Sequence, residues 1–191
     1  MIVASCMNTN PVMIYAGQEL GERGMDAEGF SGRDGRTTIF DYWHVDTLGR
    51  WYHQGKIGNA LLTSEEQELQ QFYSQLLNAC LHEKALSKGL FFDLMYANME
   101  GGGLDPHRQY VFLRAYEDEA VLVIANFSDQ ARAVAINLPQ HAFDYLQLEP
   151  NSQCEAVDLL TNETETICVS PDQPVETYVA PWGGKLLKFK H

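Results

Sequence analysis

The second half of the chain constrains its fold most. Between residues 90 and 191, short apolar runs recur about every 8–12 residues, the spacing of strands in a sandwich. They are cut by Pro139, Pro150, Pro171, Pro174 and Pro181. Proline donates no backbone N–H, so it sits between strands or at their ends. The strand candidates are 109–116, 119–127, 131–138, 142–148, 156–160, 165–169, 175–180 and 185–190. The first two flank Glu117-Asp118, a polar turn short enough to make them a hairpin. Residues 90–191 are therefore expected to form an antiparallel β-sandwich of two sheets.

The first half reads differently. Residues 10–16 are a continuous apolar run opened by Pro11 and closed by Gly17, the pattern of a strand buried on both faces. Residues 17–62 hold nine of the fifteen glycines and sustain no period of 2 or 3.6. A stretch so long without regular structure is usually functional or disordered. Its aromatic residues Phe40, Tyr42, Trp43, Trp51 and Tyr52 argue against disorder. Residues 64–83 predict a helix, because Leu69, Phe72, Tyr73, Leu76, Leu77 and Cys80 fall on one stripe. Ser64 and Gln67 have capping-box spacing, and Gly89 suits a terminator. The stripe needs a partner surface, either the sandwich or strand 11–16. Gly101-Gly102-Gly103 is a loop or hinge, and no internal repeat is visible.

Acidic residues outnumber basic ones 26 to 13, for a net charge of −13. Residues 1–89 contribute −4 and residues 90–191 contribute −9. Nucleic acid and anionic membrane surfaces both select Lys and Arg, so neither is an expected partner. No apolar run is long enough to span a bilayer. Val3-Ala4-Ser5-Cys6 has the look of a lipoprotein cleavage site, but no basic or long apolar region precedes it, and no intact signal peptide is expected. This leaves localisation unassigned. Cys6, Cys80, Cys154 and Cys168 have no CxxC spacing, so they read as buried free thiols rather than a zinc site or disulfide framework.

Several segments resemble the alpha-amylase family of glycoside hydrolases (family thirteen). Residues 10–22, Asn-Pro-Val-Met-Ile-Tyr-Ala-Gly-Gln-Glu-Leu-Gly-Glu, are similar to that family's eighth barrel strand and following loop. Residues 30–43 resemble the insertion after that strand in bacterial members, and residues 64–83 the eighth barrel helix. Residues 121–128, ending Asn126-Phe127-Ser128, resemble the central strand of the family's C-terminal sandwich. The resemblance implies a mainly β chain: a remnant of a (β/α)8 barrel over 1–89, then an antiparallel β-sandwich over 90–191. A whole barrel takes about 250 residues, and this chain has room for one strand-helix unit. The nucleophilic Asp, acid/base Glu and transition-state Asp of the family follow earlier strands. The family's Asn-His-Asp signature is absent, and His44-Val45-Asp46 lies after the eighth strand and lacks the Asn.

The resemblance thus implies the C-terminal part of a retaining hydrolase of alpha-1,4-glucans such as starch. It implies no catalytic residue in this chain and no cofactor. Tyr15, Gln18, Glu19, Tyr42 and Trp43 would lie on the rim of the parent's cleft. Glu19 and Glu22, three residues apart in one loop, do not make the opposed carboxylate pair of a retaining glycosidase. Tyr15, Tyr42 and Trp43 either stack on sugar rings or pack the loop; Trp182 reads as a sandwich-edge residue. Asp26, Asp34, Asp41 and Asp46, with His44 and His53, are too widely spaced for a calcium loop, so no metal is expected; Arg33, Arg36 and Arg50 are expected to pair with these acids. Asn126 and Asn162 match the glycosylation pattern only nominally. The alternative reading is a stand-alone, non-catalytic carbohydrate-binding or interaction module. A barrel strand 11–16 without its neighbours would invite self-association.

Overall fold

The computed structural model describes residues 1–23, 46–101 and 103–191. They form two compact units, Met1–Pro11 with Gln75–His191, and Val12–Ser74. Helix α1 spans Ile2–Cys6, α2 Asp46–Trp51, α3 Ser64–His82, α4 Lys84–Ser87 and α5 Gln140–Leu146. Strands β1 (Tyr52–His53) and β2 (Lys56–Ile57) form a small ribbon. The others are β3 (Leu90–Asp93), β4 (Gln109–Tyr116), β5 (Glu119–Asn126), β6 (Arg132–Ile136), β7 (Asn151–Asp158), β8 (Thr164–Val169), β9 (Val175–Val179) and β10 (Gly184–Lys190).

The larger unit is built on a six-stranded antiparallel sheet in the order β3-β4-β5-β10-β7-β8. The expected hairpin is present. Tyr116 pairs with Glu119, and Glu117 takes the left-handed conformation (φ 53°) that a two-residue connection demands. The C-terminal strand β10 enters the middle of the sheet and pairs with β5 from Gly184↔Ala125 to Lys190↔Glu119. Gly184 is required there, since a Cβ would lie 2.2 Å from the Ile124 carbonyl oxygen.

Both faces of this sheet are covered, which explains why β4 and β5 are apolar almost throughout. Val111, Leu113, Leu122, Ile124, Ile167 and Leu187 share one core with Val134, Ile136, Val175 and Val179 of a second sheet, β6-β9. This is the antiparallel sandwich. On the opposite face, Phe112, Arg114, Val121, Val123 and Leu186 are buried, and α1 and α4 pack against β4 and β5.

Four local expectations are corrected. The apolar run 10–16 forms no strand: Val12 is 36% and Met13 87% exposed. No described strand lies beside it to take up its backbone hydrogen bonds, and an isolated strand has no stability of its own. Residues 142–148, expected as a strand, lie mainly in α5. Ala142, Phe143 and Leu146 are buried at helical spacing, Pro139 precedes the first turn, and Gln147 (φ 58°) closes the last. The cap of α3 sits one residue earlier than Ser64. The Glu66 amide donates to Thr63 Oγ1 at 3.3 Å and the Thr63 amide to Glu66 Oε2 at 2.8 Å, a complete capping box. Gln67 instead donates to the carbonyls of Asn59 and Leu62. The helix stops at His82 because Glu83 (ψ 119°) is extended, well before Gly89. Gly89 serves close packing instead, since a Cβ there would lie 2.2 Å from the Ala85 carbonyl oxygen.

Candidate functional site

In the unit Val12–Ser74, the loop after the apolar run carries three of the candidate rim residues. Gly17 (φ 84°) turns the chain into a short 3-10 turn, Gln18–Leu20, and Gly21 (φ 71°) turns it out. Substitution of Gly17 is blocked twice, by its left-handed φ and by Glu22 Cβ, 2.6 Å from where a Cβ would stand. Leu20 is fully buried and anchors the turn. Its backbone closes on itself: the Gln18 amide donates to the Tyr15 carbonyl at 2.9 Å and the Glu22 amide to the Gly17 carbonyl at 2.9 Å.

The side chains within this loop have distinct jobs. The Gln18 amide nitrogen donates to the Tyr73 hydroxyl of α3 at 2.9 Å, and its carbonyl oxygen accepts from the Tyr15 amide at 3.3 Å. Glu22 Oε2 accepts the Leu48 backbone amide at 2.8 Å, satisfying an open donor in the first turn of α2. Glu22 is thus committed to holding the loop. Glu19 differs: its Oε2 is buried with no hydrogen-bond partner among the described residues. Tyr15 is half-buried. Tyr42 and Trp43 lie outside the described residues, as do Asp26, Arg33, Asp34, Arg36, Asp41 and His44.

A charged clamp fixes α2 against α3. Arg50 donates to both oxygens of Glu66, at 2.6 and 2.7 Å, to Asp46 at 3.1 Å and to the Leu61 carbonyl at 2.8 Å. The bidentate hydrogen bond from Arg50, then the amide of Thr63, pulls the Glu66 carboxyl down to about 2. Arg50 therefore pairs with one of the loop acids, Asp46, as its position suggested. Among the described residues no three His, Cys, Asp or Glu side chains converge on a metal-sized space.

The Asn-Phe-Ser string at the end of β5 is structural in this fold. Asn126 is buried; its amide nitrogen donates to the Gln130 and Ala180 carbonyls, both at 2.9 Å, while its oxygen accepts from Gln109 and Ser128. An amide so engaged cannot accept a glycan. Trp182 is 72% exposed at a turn in left-handed conformation (φ 52°). Thr63, Glu66 and Arg114 are anchoring residues that the sequence analysis does not single out, and Tyr73 enters it only as part of the helix stripe. Only Arg114 carries a signal, a lone charge inside an apolar strand.

The sequence matches no protein-family profile and no curated protein. The fold does match solved structures. AmyP in complex with maltose aligns over 98% of this chain and 33% of that one, with a TM-score of 0.60 at 16% identity. The alpha-amylase of Geobacillus thermoleovorans complexed with acarbose aligns over 100% and 32%, with a TM-score of 0.54 at 15% identity. An isomaltulose synthase variant from Erwinia rhapontici in complex with D-glucose aligns over 100% and 37%, with a TM-score of 0.54 at 15% identity. The chain thus spans about a third of the length of the structures it matches, and it shares with that third its fold, the mainly β, sandwich-bearing architecture.

Proposed function

We propose that this chain is the C-terminal part of an alpha-amylase-like glycoside hydrolase acting on alpha-1,4-glucans. Residues 1–89 are its last barrel unit and residues 90–191 its sandwich. The observation that carries this reading is the fold match, which covers 98–100% of this chain and about a third of the matched glycoside-processing enzymes. The loop at Gly17 supports it: a tight turn carries Tyr15, Gln18 and Glu19 in one short segment, and Glu19 keeps a buried carboxylate oxygen without a partner among the described residues. In the parent, Tyr15, Gln18, Glu19, Tyr42 and Trp43 border the cleft, and segment 11–16 is a barrel strand with a neighbour on each side. The catalytic carboxylates come from the preceding barrel strands, the glucan is held by the parent, and this chain alone is inactive.

A second reading, a stand-alone sugar-binding module, has one observation in its favour. Exposed Tyr96 and Tyr145 flank Phe92, with ring centroids 6.2 and 5.8 Å from it, and His141 stacks edge-on at 5.7 Å. Exposed aromatic faces suit the apolar faces of hexoses. The DNA upstream of the Met1 codon separates the two readings. Codons for seven strand-helix units bearing two Asp and one Glu at strand ends are the expected result. An unrelated upstream gene, with retardation of the purified chain in starch affinity gels that Tyr96→Ala abolishes, establishes the module instead.

A further inference from the structure

Helix α1 and the last turns of α3 bring two cysteines together in the larger unit. Cys6 is fully buried, Cys80 half-buried, and their sulfurs are 3.6 Å apart. Cys80 Sγ also lies 3.5 Å from the Ser5 carbonyl oxygen. Beneath them is the largest fully buried side chain of the described residues, Arg114. Its guanidinium donates to the Cys6 carbonyl at 2.8 Å and to the Gly89 carbonyl at 2.7 Å, and its Nε finds no acceptor among the described residues. No carboxylate among the described residues pairs with it. A guanidinium stays charged in proteins, and a buried charge with carbonyl partners alone is poorly compensated.

An anion beside Arg114 is therefore favoured, and the thiol pair can supply one. The hydrogen bond shared with Cys6 draws the Cys80 thiol below its usual range, against the opposing effect of burial, and the guanidinium adds to this. The same hydrogen bond, then burial, pushes Cys6 up. Of the two sulfurs, Cys80 is the one favoured to give up its proton and Cys6 the one favoured to keep it. The other two cysteines lack such a partner: Cys154 is buried, and Cys168 faces the Gln173 side chain.

We propose that Cys6 and Cys80 are an oxidisable pair that closes to an intramolecular disulfide, stapling the N-terminal helix to the end of α3. Peroxide, small enough for a half-buried sulfur, is the oxidant. The Cys80 thiolate attacks one peroxide oxygen; the O–O bond breaks, leaving Cys80 as a sulfenic acid while the departing hydroxide takes a proton and becomes water. The Cys6 sulfur then attacks the Cys80 sulfur. The S–O bond breaks, and hydroxide leaves with the Cys6 proton as a second water. Two thiols are oxidised by two electrons and peroxide is reduced by two. The sulfurs must approach by about 1.5 Å to reach bonding distance. Cys80, in the last turn of α3 and partly exposed, is the sulfur that peroxide reaches first.

The test treats the full chain with one equivalent of hydrogen peroxide, alkylates the free thiols and maps tryptic peptides. Cleavage places Cys6 in peptide 1–23, Cys80 in peptide 57–84, and both remaining cysteines in peptide 133–185. The expected product is a dithiothreitol-sensitive link between 1–23 and 57–84, with two of the four thiols consumed. In Cys6→Ser, Cys80 should instead accumulate as a sulfenic acid trapped by dimedone. If that variant does not fold, the wild-type map alone decides. Recovery of Cys6 and Cys80 as free thiols while peptide 133–185 is oxidised overturns the proposal, and so does a link between any other pair.

Discussion

Leu76 offers a direct test of how the helix α3 is packed. It lies on the apolar stripe and is fully buried. Leu76→Ala removes about three carbon groups, each worth about 0.8 kcal/mol of transfer free energy, or roughly 2.4 kcal/mol. A cavity of up to about 80 Å³ that fails to collapse adds up to about 2 kcal/mol. The expected cost is therefore about 2.5–4.5 kcal/mol. For a chain of this length, each kcal/mol lowers the melting temperature by about 2–4 °C, so the drop should be about 5–18 °C. Thermal melts followed by far-UV circular dichroism measure it. Leu81→Ala is the control, since Leu81 is 69% exposed and its truncation should stay within about 0.5 kcal/mol. Equal melts for Leu76→Ala and wild type would refute the reasoning, because a sealed leucine cannot be truncated without cost.

Four further outcomes are expected. Glu66 titrates near 2 in the folded chain against an ordinary 4.5, so its contribution is complete above about 4.5 and is lost as pH falls toward 2; Glu66→Gln should flatten the acid limb of a melting-temperature profile over that window, and an unchanged limb counts against the clamp. Asn126→Ala leaves the Gln130 and Ala180 carbonyls and the Gln109 amide without their shared partner, at a cost of about 1–3 kcal/mol in urea unfolding. Gly17→Ala should unfold the Gln18–Leu20 turn rather than stabilise the chain, read as faster amide exchange at Leu20 and Glu22. Met13, 87% exposed, gives segment 11–16 an apolar surface, so light scattering should show self-association that Met13→Lys reduces; identical sizes would remove the segment from that role.

How much of the fold is legible in the sequence follows from how local each signal is. The β4–β5 hairpin is legible because a two-residue polar turn sets its register, and α3 because its stripe repeats for about three turns. The cap falls one residue away from its expected place because Thr63–Glu66 and Ser64–Gln67 have the same spacing; only the side-chain geometry separates them. Helix α5 reads as a strand in the sequence, since seven residues are too few to tell the two periods apart. The run 10–16 has the composition of a buried strand, but composition does not provide the neighbouring strands. At the candidate site Gln18 and Tyr73 are 55 residues apart, and in the larger unit Cys6 and Cys80 are 74 apart, distances at which no local pattern speaks.

In the function proposed above, this chain buttresses a glucan hydrolase without holding its chemistry. Reducing-sugar release from soluble starch by the purified chain, at high protein concentration, tests it most directly. Glu22 is tied to the first turn of α2 and Glu19 lies in the same short loop, so no pair of carboxylates in that loop faces a sugar from opposite sides. The account predicts release at the level of the buffer blank. Turnover that survives repeated purification and disappears in Glu19→Gln contradicts it.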